Sequence, residues 1–245
     1  MEYDSRFLTR PKNSDILVFS AGNPSEAHGP ALPHDIDTKI AQMAAIEAAY
    51  MSGATYLGNI PFTTDGIGEI ARVWSPAYIP VDEFMRRTRQ FVDMHLGYQR
   101  SFANVKGIVF VVGHGGIPQT LGEEMKSPGI ETRCVFPTMF GSHADEYEHS
   151  CSQYLGLLDN EGLDMIHEVA KKDPNEALRR WPVLLGLSGF WLYHGDEFAK
   201  LYKPHKMEKV KRFRDERIIR VDRDFGRNIF DKFVSASVEG IKSIR

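Results

Sequence analysis

Short apolar runs alternate with longer amphipathic stretches over the first 160 residues, and this alternation constrains the fold more than any other feature. DILVFSAG, residues 15 to 22, places Ile16, Leu17, Val18 and Phe19 in a row and ends on glycine. A short continuous apolar run bounded by a turn residue reads as a buried strand. ATYLGNIPF (54–62), GIVFVV (107–112) and ETRCVFPT (131–138) read the same way. Between the first two lies DIDTKIAQMAAIEAAYMSG, 35 to 53, whose Ile36, Ile40, Met43, Ala44 and Met51 share one helical face. Asp35 is a candidate N-cap and Gly53 a candidate stop. Glu47 interrupts that stripe; a subunit contact, a partnered carboxylate or a wet helix edge each accommodate it. VDEFMRRTRQFVDMHLGYQRSFAN, 81 to 104, forms a second amphipathic helix with Phe84, Phe91, Tyr98 and Phe102 on one face and His95 packed beside them. The last third reads as mostly helical, closing with residues 225–244. Strands alternating with helices predict an α/β layered fold around a mainly parallel sheet. No linker is visible, so one domain over 1–245 is expected.

Length and charge narrow the function classes. With 245 residues the chain can bury a full core without staples. A net charge of −3 supplies no field that would draw nucleic acid or a membrane surface. Cys134 and Cys151 are too few for a disulfide framework and are expected as free thiols in a reducing compartment. The first fifteen residues lack an apolar signal-peptide core, and no apolar run approaches the roughly 20 residues needed to span a bilayer. A soluble cytoplasmic protein is the expectation.

In a parallel sheet of this kind, sites form in loops beyond the carboxyl ends of the strands. Three polar clusters follow predicted strands. The first, SEAHGPALPHDID (25–37), contains Glu26 and His28, which face one side if the segment is extended. Asp37 falls in the first helical turn, where backbone N–H groups favour a carboxylate. Carboxylate plus imidazole suits zinc, manganese or iron; a capped helix beside a solvated Glu26 is the plain alternative. The second, GHGG (113–116), gives His114 as a ligand, an acid/base group or a packed ring in a tight turn. The third, SHADEYEHS (142–150), offers His143 and Glu148, while Asp145 and Glu146 suit an acidic, solvated helix start. The loop at 63–80 is long for a plain connection, as functional loops often are.

Together these clusters resemble the creatininase family of metal-dependent amidohydrolases. NPSEAHGPALPHDID follows that family's G-S-x-E-x-H-G-P-x-L-P pattern, with an aspartate nine residues after the histidine. VGHGGI is similar to N-G-H-G-G-N, and HADEYEHS to H-A-G-x-x-E-T-S, in the same order. The stretch from Ala31 to Gly58 also looks like the archaeal formamidopyrimidine deformylases of that family. The resemblance implies a three-layer α/β/α sandwich with a mainly parallel central sheet, often assembled as a homo-oligomer such as a hexamer. It implies one or two divalent metals per chain (Zn, Mn or Fe), with Glu26, His28, Asp37, His114 and Glu148 as ligands. Asp37 would bridge two metals, and His143 would shuttle a proton. The activity implied is hydrolysis of a C–N bond in a small polar amide, cyclic amide or formamide by metal-bound water, with Glu148 and His143 as the catalytic residues. Two other readings stay open: C–C hydrolysis of an inositol-derived diketone at the same centre, and a non-catalytic binding protein of this fold. The sequence departs from the family at Asn23-Pro24, Val112, Ile117, Asp145 and His149. Gly116 stands where creatininase carries a glutamate, which counts against creatinine as substrate.

Other residues carry weaker signals. Trp181 and Trp191 suit a pocket lining or the core, and core packing is expected of at least one. His34 and His194 have no assigned role. The basic stretch 203–220 is a solvated face, a subunit contact or a phosphate site. No G-x-S-x-G surrounds Ser20, Ser25 or Ser142, which excludes the usual serine-hydrolase setting.

Overall fold

The computed structural model describes residues 15–101 and 103–244; the signal-peptide reading of residues 1–14 and the placement of Phe102 lie outside them. Four strands form one sheet: β1 (Ile16–Ala21), β2 (Thr55–Ile60), β3 (Gly107–Val112) and β4 (Glu131–Val135). The helices, in chain order, are α1 (Ile36–Ser52), α2 (Val81–Arg100), α3 (Leu121–Glu124), α4 (Glu146–Leu155) and α5 (Asn160–Lys172). They continue with α6 (Pro174–Arg180), α7 (Leu184–Tyr193), α8 (Pro204–Glu216) and α9 (Arg223–Lys242). The sheet is parallel throughout, in the order β2-β1-β3-β4. A parallel sheet with helices packed on it is the three-layer α/β/α arrangement expected above. No helix among the described residues is long and apolar enough to cross a membrane.

The residues divide into two compact units. One holds the described residues up to Glu26, then Asp37–Pro137, then those from Lys232 on; the other holds Ala27–Ile36 and Thr138–Asp231.

The first unit contains the sheet. Leu17, Phe19 and Ala21 of β1 and Ile108, Phe110 and Val112 of β3 alternate onto one face and pack against Phe84, Val92 and Leu96 of α2. The Phe19 and Phe110 rings stack with centroids 5.8 Å apart. Burying each such ring is worth about 1.5–3 kcal/mol. On the opposite face, α9 comes close enough at Gly240 that a Cβ there would stand 2.9 Å from Val135 Cγ2. The predicted faces of α1 and α2 need correction. Met43 and Met51 are 39% and 59% exposed, and the buried stripe of α1 consists of Ile36, Ile40 and the alanines 41, 44, 45, 48 and 49. Glu47 is exposed on the outer side. On α2, Tyr98 is exposed, and Thr88, Val92, Leu96 and Gln99 complete the stripe begun by Phe84. His95 packs as expected, its ring 4.6 Å from Phe91 and 5.7 Å from Phe19, and burial lowers its pKa.

The second unit is helical, around Ala31, Ala144, Ile166, Leu178, Leu184, Val210 and Phe213. Trp181 and Trp191 are both partly buried against this cluster, where packing is expected of at least one. Cys134 and Cys151 are free thiols, as expected. Burial pushes Cys134 up to about 12 and Cys151 higher still, so neither is a nucleophile at neutral pH.

Candidate metal centre

The strand order explains where the first group of site residues sits. β1 and β3 are neighbours, with Ala21 opposite Val112, and the chain passes from β1 to β2 on one side and to β3 on the other. Such a switch point opens a crevice at the carboxyl ends of the strands. Gly22 to Glu26 leave β1 there, and Gly113 to Gly116 leave β3. Asp37 enters from the first turn of α1. Glu26, Asp37 and His114 offer ligand atoms that all lie within 4.8 Å of one another. His114 Nδ1 is 2.8 Å from Asp37 Oδ2 and 3.1 Å from Glu26 Oε2. All three side chains are buried, with Glu26 2%, Asp37 4% and His114 4% exposed. Burial opposes a charge on the His114 ring, but Glu26 and Asp37 outweigh it and hold its pKa well above the ordinary histidine value.

Two glycines allow this convergence. A Cβ at Gly22 would stand 2.5 Å from the Cα of Thr38, and one at Gly113 would stand 2.2 Å from the carbonyl oxygen of Asp37. The α1 backbone therefore rests directly on the two loops, and Asp37 is carried in with it.

Sequence reasoning missed Asn23, which appeared only as a departure from the family motif. It is fully buried, and its amide group organises the first loop. Its Nδ2 donates to Glu26 Oε2 and to Ser75 Oγ, both at 2.8 Å, while its Oδ1 accepts from Ser25 N at 3.1 Å. An asparagine three residues before a buried glutamate was the available signal.

In the second unit, His28, His143 and Glu148 come together. The His28 and His143 rings lie 4.1 Å apart, and His28 Nε2 is 3.9 Å from Glu148 Oε2. His143 Nε2 donates to the carbonyl oxygen of Ala27 at 2.8 Å, which fixes its ring. Glu148 is buried and its Oε2 accepts from Ala144 N at 2.6 Å. Ala144 has a φ of 47°, a left-handed conformation that favours glycine, yet it carries a Cβ and is fully buried. Leu185 N donates to its carbonyl and Gly186 N to that of His143, so the left-handed turn at 185–187 braces the strained residue.

Asp145 stands at the start of α4, where an acidic residue is expected, and caps the helix, accepting from Tyr147 N at 2.9 Å. It is not solvated, however: it is fully buried and contacts Lys209 Nζ and Ser142 N. Burial raises its pKa against the pull of Lys209. Glu146 pairs with Arg212 at 2.7 Å. Lys209 and Arg212, two cations of the basic stretch 203–220, are therefore engaged within the second unit. His149 is also fully buried, its Nδ1 donating to Asp145 O at 2.8 Å; burial lowers its pKa to about 4 and keeps it neutral. His34 and His194 are exposed.

Comparison with known proteins adds two likenesses. The chain is 32% identical over 161 residues to the 2-amino-5-formylamino-6-ribosylaminopyrimidin-4(3H)-one 5'-monophosphate deformylase of Methanothermobacter thermautotrophicus, covering 61% of this chain and 62% of that one. It is 26% identical to the protein of the same name from Methanobrevibacter smithii over 100% of this chain and 97% of that one. The one from Methanothermus fervidus is 34% identical over 68% of this chain and 66% of its own. Among solved structures, a creatininase carrying a tryptophan-to-phenylalanine substitution superposes with a TM-score of 0.58 at 12% identity, covering 98% and 94% of the two chains. A glutamate-to-glutamine creatininase of Zn-Zn type gives 0.56 at 11% identity over 93% and 90%. No protein-family model matches the chain. On these likenesses the chain has a creatininase-like fold and resembles in sequence the archaeal formamidopyrimidine-type deformylases.

Proposed function

We propose that this protein hydrolyses the C–N bond of a formylamino group on a small polar heterocycle, releasing formate and the free amine, with a divalent metal at the site. The observation that carries the reading is the buried donor set Glu26, Asp37 and His114, with ligand atoms within 4.8 Å. Two carboxylates against one imidazole leave an excess of negative charge away from water, and burying such charge is costly unless a cation balances it. The donor types fit Zn, Mn or Fe. His28 and Glu148 complete the proposed ligand set, on the strength of their spacing in the sequence motifs and their own pairing in the second unit. A divalent metal there supplies Lewis-acid polarisation of the carbonyl and makes water a better nucleophile near neutral pH.

The chain's own residues do the rest. Asn23 holds Glu26 by its Oε2, and the Ala144 N–H holds Glu148. His143 is anchored through Nε2 on Ala27, and the proton destined for the departing nitrogen is handled at its Nδ1. The formylamino group is favoured because the sequence relatives are named as deformylases of a formylamino pyrimidine.

Removing metal with a chelator, verified by elemental analysis, is expected to stop formate release, and returning Zn, Mn or Fe to restore it. Full turnover by a verified metal-free sample would overturn the proposal.

A homo-oligomer is part of the same reading. Tyr50 and Met51 are 54% and 59% exposed on α1, an apolar surface of the kind a second copy covers. Light scattering is expected to give a mass of several chains, and a monomer at micromolar concentration would exclude it.

A further inference from the structure

The long loop after β2 brings a carboxylate to the far side of His114. Its TTDGIG segment is tied to the GHGG loop by a hydrogen bond from Gly66 N to Gly116 O at 2.9 Å. Asp65 shapes the turn: its Oδ1 accepts from Ile67 N at 2.9 Å, and its carbonyl accepts from Gly68 N at 3.0 Å. That leaves Oδ2 directed over Gly116. A Cβ at Gly116 would stand 2.4 Å from His114 Nε2, 2.7 Å from Asp65 Cγ and 2.9 Å from Asp65 Oδ2. The imidazole edge and the carboxylate thus close over one Cα, and only glycine leaves room for both.

His114 needs such a neighbour. Its Nδ1 faces Glu26 and Asp37, whereas its Nε2 is buried and has no hydrogen-bond partner among the described residues. For Nδ1 to offer a lone pair to a metal held with those carboxylates, the ring proton must sit on Nε2. A ligating histidine ordinarily donates that second N–H to a carboxylate, carbonyl or water, which fixes the tautomer and the ring plane.

We propose that Asp65 is a positioning residue that takes the Nε2 proton of His114 in a hydrogen bond, directly or through one water, and so aims Nδ1 at the metal. The inference rests on reading Glu26, Asp37 and His114 as metal ligands. Gly116 is part of the same device, because it clears the space in which the two groups meet.

Asp65→Asn separates this role from turn formation. The asparagine oxygen still accepts from Ile67 N, so the turn survives, but the amide nitrogen then presents a donor to His114 where an acceptor is needed. Zinc affinity is measured by competition with a chromophoric chelator, and the His114 tautomer by nitrogen-15 correlation spectra of the imidazole side chains. Asp65→Asn is expected to melt with the wild-type protein, to bind zinc roughly 10–100-fold more weakly, and to lose the Nε2–H signal of the zinc-loaded form. Zinc affinity within threefold of wild type with the same tautomer would overturn the inference. Should the wild-type chain bind no zinc, the metal reading falls separately, and the Nε2–H resonance of the metal-free protein decides Asp65. It moves on Asp65→Asn if the carboxylate holds that proton, and its staying in place overturns the role.

Discussion

His114→Ala is expected to abolish metal binding and also to destabilise the metal-free protein. The first effect follows from removing a central donor of the set. The second follows from what remains. Glu26 and Asp37 are 2% and 4% exposed, and the His114 ring stands between them at 3.1 and 2.8 Å. Alanine deletes the His114 imidazole and leaves two buried carboxylates beside a void. One must take up a proton or swing out, since like charges that close cannot both stay ionised in a buried site. Breaking a buried pair by deleting one partner costs about 3–5 kcal/mol. For a chain of this size that lowers Tm on the order of 10 °C. The measurement is thermal unfolding of chelator-treated wild type and variant, beside zinc-to-chain ratios of both. Equal melting temperatures in the metal-free state would show that the three side chains do not share one buried charge cluster.

Local composition made the strands legible and left the helix faces partly hidden. GIVFVV matches β3 from Gly107 to Val112 because a strand covered on both faces is apolar at every position. On α1 hydrophobicity alone does not mark the buried face. Met43 and Met51 point outward, while the alanines at 41, 44, 45, 48 and 49 point in. At Ala41 the reason is distance: its Cβ lies 2.9 Å from where a Cβ on Gly113 would stand, so the helix is too close to that loop for a larger side chain. On α2 the aromatic reading holds for Phe84 and Phe91 but not for Tyr98, and Val92 and Leu96 share the burial.

The site divides in the same way. That Glu26, Asp37 and His114 come together was readable because motif spacing and their position after strands are both properties of the chain. Asn23 was readable only as an irregularity, since its value lies in reaching Ser75, 52 residues away. Asp65 was out of reach altogether. Nothing in TTDGIG shows that a glycine 51 positions later leaves room for its carboxylate beside a histidine. The same limit applies to Asp145, read as solvated because acidic residues open helices at the surface, and buried here because Lys209 of a later helix meets it.

Gly113→Ala is expected to disable the site while Gly115→Ala, two residues on, is tolerated. Gly113 follows β3, donates its N–H to Ala21 O at 2.7 Å, and immediately precedes His114. An added methyl would lie 2.2 Å from Asp37 O and 2.9 Å from Ala41 Cβ. Neither obstacle is a flexible side-chain end, so no rotamer relieves the overlap. Either the start of α1 lifts, taking Asp37 with it, or the 113–116 loop retreats with His114. Both routes lengthen the 2.8 Å contact between His114 Nδ1 and Asp37 Oδ2. Overpacking of this kind costs about 1–3 kcal/mol and more where backbone must move. Metal affinity should fall with it, because ligand placement off by an ångström forfeits much of the pre-organisation. At Gly115 a Cβ meets nothing within 4 Å, and the backbone there is not left-handed. The pair of variants thus separates a general intolerance of the GHGG loop from the specific contact with α1. Equal zinc affinity and equal stability in the two would mean that the closeness of Gly113 to Asp37 does not position the ligands.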